Sequence, residues 1–169
     1  GGTIKLDGNY PTGTQNTALG DGALSSGSLS GGFNVAIGNN ALSSNTSGGA
    51  NIGIGSSALS SNTTASKNIG IGESNLASTT TGGSNVSVGD DAMYANTTGS
   101  NNVAIGNQAL VSNTEASNNT AVGYEAGYNN TTGTLTAIGR YASRQQSTGT
   151  ANTTVGLSAG YATTTGANN

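Results

Sequence analysis

The chain has no cysteine, no histidine and no tryptophan, and only one proline, one phenylalanine and four lysines and arginines in 169 residues. Each absence removes a class of function. Without cysteine there is no disulfide framework and no thiolate chemistry, and nothing encodes the redox state of a compartment. Without histidine, imidazole metal ligands and Ser-His-Asp catalysis are unavailable. Four cations against a net charge of −3 leave no basic patch, so no nucleic-acid partner is expected. No basic amphipathic helix and no apolar run near ~18 residues occurs, so direct membrane insertion is not expected. No leader peptide is visible. The chain starts at Gly1-Gly2 without Met and ends at Asn168-Asn169, where another repeat is due, as expected of a piece of a longer protein.

Hydrophobic residues make up 32% and charged residues 7%. Low hydrophobicity signals disorder when charge is high. Here charge is low and the apolar residues are periodic, so order is expected. The period is carried by Asn34-Val35-Ala36-Ile37-Gly38, whose copies open at Asn16, Asn34, Asn51, Asn68, Asn85, Asn102, Asn119, Leu135 and Asn152, at steps of 18, 17, 17, 17, 17, 17, 16 and 17 residues. So tight a period means a repeat architecture. Each copy is too short for two helices, and glycine and β-branched residues dominate. The expectation is an all-β parallel β-solenoid with ~17-residue coils, each coil supplying two short strands and two turns. Residues 1–15 fall outside the repeat and read as a cap or incomplete first coil, with a strand at Ile4-Lys5-Leu6 and a turn at Asp7 to Pro11. Residues 16–169 form one nine-coil domain.

Within a coil, Val35 and Ile37 share one face and are assigned to the core, and Ala36 points the other way. Its column stays small: Ala18, Ala36, Gly53, Gly70, Ser87, Ala104, Ala121, Ala137 and Thr154. Gly38 belongs to a column that is glycine in all nine copies, which predicts positive φ or close backbone approach. Leu42 begins a second apolar seam. Asn34, Asn51, Asn68, Asn85, Asn102 and Asn119 predict a buried structural ladder, bonding either to one another or to turn backbone. Three aliphatics per coil are few against the entropy of ordering it, which suggests several chains sharing one core.

The pattern changes after Asn119. The Leu column becomes Gly127, Ser143 and Gly160, and bulk appears one place later as Tyr128, Arg144 and Tyr161. Tyr124 and Tyr141 lie nearby. The four tyrosines Tyr124, Tyr128, Tyr141 and Tyr161 are either a different internal packing or an aromatic contact surface for sugar or protein.

Little else bears chemistry. Asp90 and Asp91 are adjacent, Glu73 stands one coil before Asp90, and a glycosidase pair facing one cleft is not evident. The chain is expected to be no enzyme, with no cofactor and no metal. Calcium at Asp90 and Asp91 lacks the nonapeptide of calcium-binding rolls. The glycine-rich turns are not phosphate loops. The column from Thr46 through Thr63, Thr80, Thr97, Thr114 and Thr131, with Thr64, Thr81 and Thr98 beside it, keeps a monomeric ice-binding solenoid open. The glycosylation sequons at Asn62 and Asn96 follow from the repeat itself.

The Asn-x-Ala-Ile-Gly-x-x-Ala pattern at Asn34 to Ala41 and Asn102 to Ala109 resembles the head repeat of YadA-like trimeric autotransporter adhesins. Asn119 to Tyr124 is similar to repeats of bacteriophage tail-fibre proteins. The resemblance covers residues 16–169. It implies a left-handed β-roll assembled as a parallel homotrimer, and a role in attachment at a host surface through glycan or protein. Location would be the virion tail fibre or, alternatively, the bacterial cell surface. The adhesin repeat is shorter, its neck and membrane anchor are absent here, and the Asn-Thr-Thr-Gly turns at Asn96 to Gly99 and Asn130 to Gly133 favour the tail-fibre version.

Overall fold

A computed structural model of the chain describes residues 15–168. The expected strand at Ile4 to Leu6, the turn at Asp7 to Pro11 and all of the expected cap except Gln15 lie outside them. Nine strands follow in order: β1 (Thr17–Leu19), β2 (Val35–Ile37), β3 (Ile52–Ile54), β4 (Ile69–Ile71), β5 (Val86–Val88), β6 (Val103–Ile105), β7 (Thr120–Val122), β8 (Leu135–Ile138) and β9 (Asn152–Val155). They make one parallel sheet in chain order, each strand paired with its copy in the next coil. The register keeps like residues together, with Ala36 opposite Gly53 and Ile37 opposite Ile54. The protein is a β-solenoid of about 17 residues per coil, without a helix among the described residues.

Two expectations need correction. Each coil carries one strand, not two. The segment around Ala41 and Leu42 is a turn, because Asn40 and Leu42 both stand at positive φ, 55° and 51°, where an extended strand cannot continue. Neighbouring coils are still joined there: Leu42 N donates to Ala58 O at 2.9 Å, Ser44 N to Ser60 O at 3.1 Å and Thr46 N to Thr63 O at 2.9 Å. The interior is therefore hydrogen-bonded from coil to coil with very little regular strand.

The second correction concerns which face of the strand is inside. Val35 and Ile37 are not the core of the single chain; they are half-exposed, while Ala36 between them is fully buried. The same parity holds in β3 to β7. The cause is the seam of Leu42, Leu59, Leu76, Met93 and Leu110, each fully buried. These side chains cross the narrow coil and lie under the strand. A Cβ added to Gly53 would stand 3.4 Å from Leu42 Cγ, and one on Gly70 would stand 3.3 Å from Leu59 Cγ. Only Ala, Gly or Ser fits above such a seam, so the larger aliphatics face outward.

The glycine that ends each strand is required on both counts foreseen. Gly38 has φ 133°, and a Cβ there would meet Gly55 O of the next coil at 2.4 Å. An L side chain is excluded by conformation and by space together.

Candidate functional site

Two asparagine columns run through the interior. In the first, Asn34, Asn51, Asn68, Asn85 and Asn102 are fully buried and Asn119 nearly so. Each side chain clips backbone rather than its own copies. Asn51 Nδ2 donates to Ala65 O at 2.8 Å, on the far side of its coil, and Asn51 Oδ1 accepts from Asn68 N at 3.0 Å in the next coil. The second column, Asn45, Asn62, Asn96, Asn113 and Asn130, is equally buried and was not singled out from the sequence. Here the side chains do bond to one another: Asn62 Nδ2 to Asn45 Oδ1 at 2.8 Å and Asn113 Nδ2 to Asn96 Oδ1 at 2.9 Å. In-register recurrence every 17 residues was its available signal. Burial also makes the sequons at Asn62 and Asn96 inaccessible to a glycosyltransferase once the coil has formed.

The threonine columns differ in their freedom. Thr46 Oγ1 donates to Thr63 O at 3.0 Å, and Thr63, Thr80, Thr97 and Thr114 repeat the bond to the coil after them. The outer row, Thr64, Thr81 and Thr98, is exposed and is interrupted by Glu115.

Tyr124, Tyr128, Tyr141 and Tyr161 come together on the turns that follow β7, β8 and β9. Tyr124 and Tyr141 pack edge to face with ring centroids 5.5 Å apart, and Tyr141 and Tyr161 do the same at 6.2 Å. Two arginines, which the sequence reading did not place in a site, join them. Arg144 stands 4.9 Å from the Tyr128 ring centre and 5.7 Å from that of Tyr141. Its Nε pairs with the carboxylate of Glu125. Arg140 lies 4.5 Å over Tyr141 and 5.8 Å from Tyr124, and donates to the Tyr141 hydroxyl at 3.1 Å.

Glu125 is buried and organises the inner side of this cluster. Burial pushes its carboxyl up. The Tyr124 hydroxyl, the Arg144 hydrogen bond and the charges of both arginines outweigh that and hold it below the usual carboxylate range. The hydrogen bond to Glu125 raises both the Tyr124 phenol and the Arg144 guanidinium. Glu125 is therefore an ionised strut, not a proton donor near neutral pH. Tyr141 occupies a left-handed turn position with φ 61°, a strained place for a bulky side chain that aromatic and cation–π contacts on both sides hold in place.

The remaining acids do not converge. Asp90 Oδ1 accepts the Glu73 backbone N–H at 3.1 Å, so these two adjacent-coil acids are joined through backbone rather than poised as a pair. Among the described residues no three acidic side chains gather as a metal site requires. A depression of about 300 Å³ lies where β8 and β9 lengthen, lined by Asn118, Thr134, Thr136, Thr153 and neighbours, without a titratable side chain. The fold class is thus a parallel β-solenoid, and its chemically distinct surface is the tyrosine–arginine cluster. No family model, no curated protein and no solved structure matches the chain.

Proposed function

We propose that the chain is a structural and attachment module of a surface fibre: a segment of a parallel homotrimeric rod, such as a bacteriophage tail fibre, that supports adhesion to a host cell. A trimeric autotransporter head is the neighbouring form of the same reading. The observation that carries it is the outward ribbon of aliphatics. Val35 and Ile37, Ile52 and Ile54, Ile69 and Ile71, Val86 and Val88, and Val103 and Ile105 stand in register on the outer side of one sheet, with Ile105 still 41% exposed. At ~4.8 Å per coil the paired part is roughly 20 Å long, and Leu19, Val122, Ile138 and Val155 continue its second row along the other strands. Soluble monomers rarely leave so continuous an apolar strip uncovered, and further copies of the same strip are its natural cover.

The rival, a monomeric ice-binding solenoid, is less well supported. The inner threonine hydroxyls are committed to carbonyls of the next coil, and Glu115 breaks the outer row. Light scattering decides between them. A mass near three times 16.2 kDa is expected, and Ile54→Lys should abolish it. A single-chain mass at all concentrations overturns the fibre reading, as does ice recrystallisation inhibition by a monomer. Soluble sugar released from host polysaccharide would mark an enzyme instead.

A further inference from the structure

The geometry points to the Tyr124–Arg140–Tyr141 surface as a binding site for an acidic saccharide, a sugar bearing a carboxylate. This inference rests on the attachment reading and names its ligand class. The two arginines in the cluster have different duties. Arg144 is tied to Glu125 and wedged among tyrosine rings, so it serves the fold. Arg140 is exposed, and its recorded contacts are the rings of Tyr124 and Tyr141 and one hydroxyl. No carboxylate pairs with it among the described residues. A guanidinium held flat by two aromatic rings, with donors to spare, is prepared for a carboxylate from outside.

The surroundings sharpen the choice. Arg140 occupies the turn place that holds Asp21, Glu73 and Asp90 in three earlier coils and uncharged residues in the others, so it is the one positive point in that column. Tyr124 beside it keeps 41% of its surface open, and Tyr161, packed against Tyr141, keeps 39%. Open phenol rings offer a flat apolar face for the C–H side of a pyranose, and their hydroxyls, engaged with Glu125 and Arg144, keep lone pairs for the hydroxyls of the sugar. Peptides are usually taken by a sheet edge or a groove, and these residues offer neither. They lie in the turns past the strand-ending glycines, off the aliphatic ribbon, so copies covering the ribbon and a sugar on the turns are compatible.

The test is titration of the chain with an oligogalacturonate, a neutral oligogalactan of the same length and poly-glutamate. Binding of the oligogalacturonate alone, weakening with salt, is expected. Arg140→Gln should weaken it about tenfold, while Tyr94→Ala, at an exposed tyrosine outside the cluster, leaves it unchanged. Equal binding of the neutral sugar, equal binding of poly-glutamate, or unchanged binding by Arg140→Gln each overturns the inference, as does no binding at all. Host-cell adhesion measured in parallel separates the two proposals. Adhesion that survives Arg140→Gln overturns this site and keeps the attachment role, whereas a wild-type chain that does not adhere removes the role itself.

Discussion

Leu135 fills the space that Gly127 leaves empty. Both depart from their columns, Leu135 standing where other coils have Asn and Gly127 where the coils before it have Leu or Met. A Cβ on Gly127 would lie 3.0 Å from Leu110 Cδ2 and 3.4 Å from Leu135 Cδ2. The apolar seam is thus continued at the 16-residue step by a leucine arriving from the strand side. Leu135 N also takes the Asn119 Oδ1 bond, at 2.7 Å, so the inter-coil clip survives.

The two departures should therefore be coupled. Gly127→Leu alone overfills the seam, and Leu135→Asn alone leaves a cavity with an amide in it. Each is expected to destabilise by about 2–4 kcal/mol. The double variant should recover a coupling of at least ~1 kcal/mol. Urea unfolding of the four species measures this, and strict additivity would mean that Leu135 does not substitute for the missing seam residue.

Replacing a strand-ending glycine should be among the most damaging single changes. At Gly72, with φ 134°, an added Cβ would meet Gly89 O at 2.5 Å. Gly72→Ala should cost at least about 3 kcal/mol, from backbone strain and forced separation of two coils. Hydrogen exchange should show the loss of protection centred on β4 and β5.

The opposite sign is expected at Ala50. It is exposed and sits at φ 57°, where alanine is strained and asparagine is tolerated. Asn101 and Asn118 hold the equivalent place three and four coils further on, at φ 58° and 64°. Ala50→Asn should raise stability by ~0.5 kcal/mol, seen as a higher urea midpoint with an unchanged slope.

Acid should loosen the C-terminal coils before the rest. Against the upward push of burial, the Tyr124 hydroxyl and the two arginines hold the Glu125 carboxyl below the usual carboxylate range. A carboxyl depressed in the folded state contributes stability that is fully present above its unfolded pKa and is lost as pH falls through the folded one. The loss therefore begins as pH falls into the ordinary carboxylate range and continues below it. Near-ultraviolet dichroism of the tyrosines should report it, and Glu125→Gln should remove that part of the pH dependence while lowering stability at neutral pH.

The period, the place of the one strand in each coil, the obligatory glycine and the grouping of the tyrosines were legible in the residues, because each depends only on register; the expected second strand was not there, since Asn40 and Leu42 take positive φ. The inside-outside parity of the strand was not. Val-Ala-Ile alternates equally well either way round, and what decides is the path of Leu42, set by a positive φ that leucine does not advertise. The second asparagine column was hidden for a related reason: Asn45 and Asn62 sit among Ser and Thr, and such stretches read as solvated turn. Arg140 and Arg144 are far apart in role though near in sequence, and only the placement of Glu125 beside Arg144 distinguishes them.

The asparagine clips also give the solenoid a direction. Asn34 Oδ1 accepts from Asn51 N, and Asn51 Oδ1 in turn accepts from Asn68 N. Until its successor is in place, the Oδ1 of the outermost coil faces the open end of the stack and lacks the N–H that it will accept from. Every added coil relieves that deficit and creates the next one. Each coil thus completes the hydrogen bonding of the coil before it, and a coil that fails to dock leaves the amide oxygen of its predecessor without that partner.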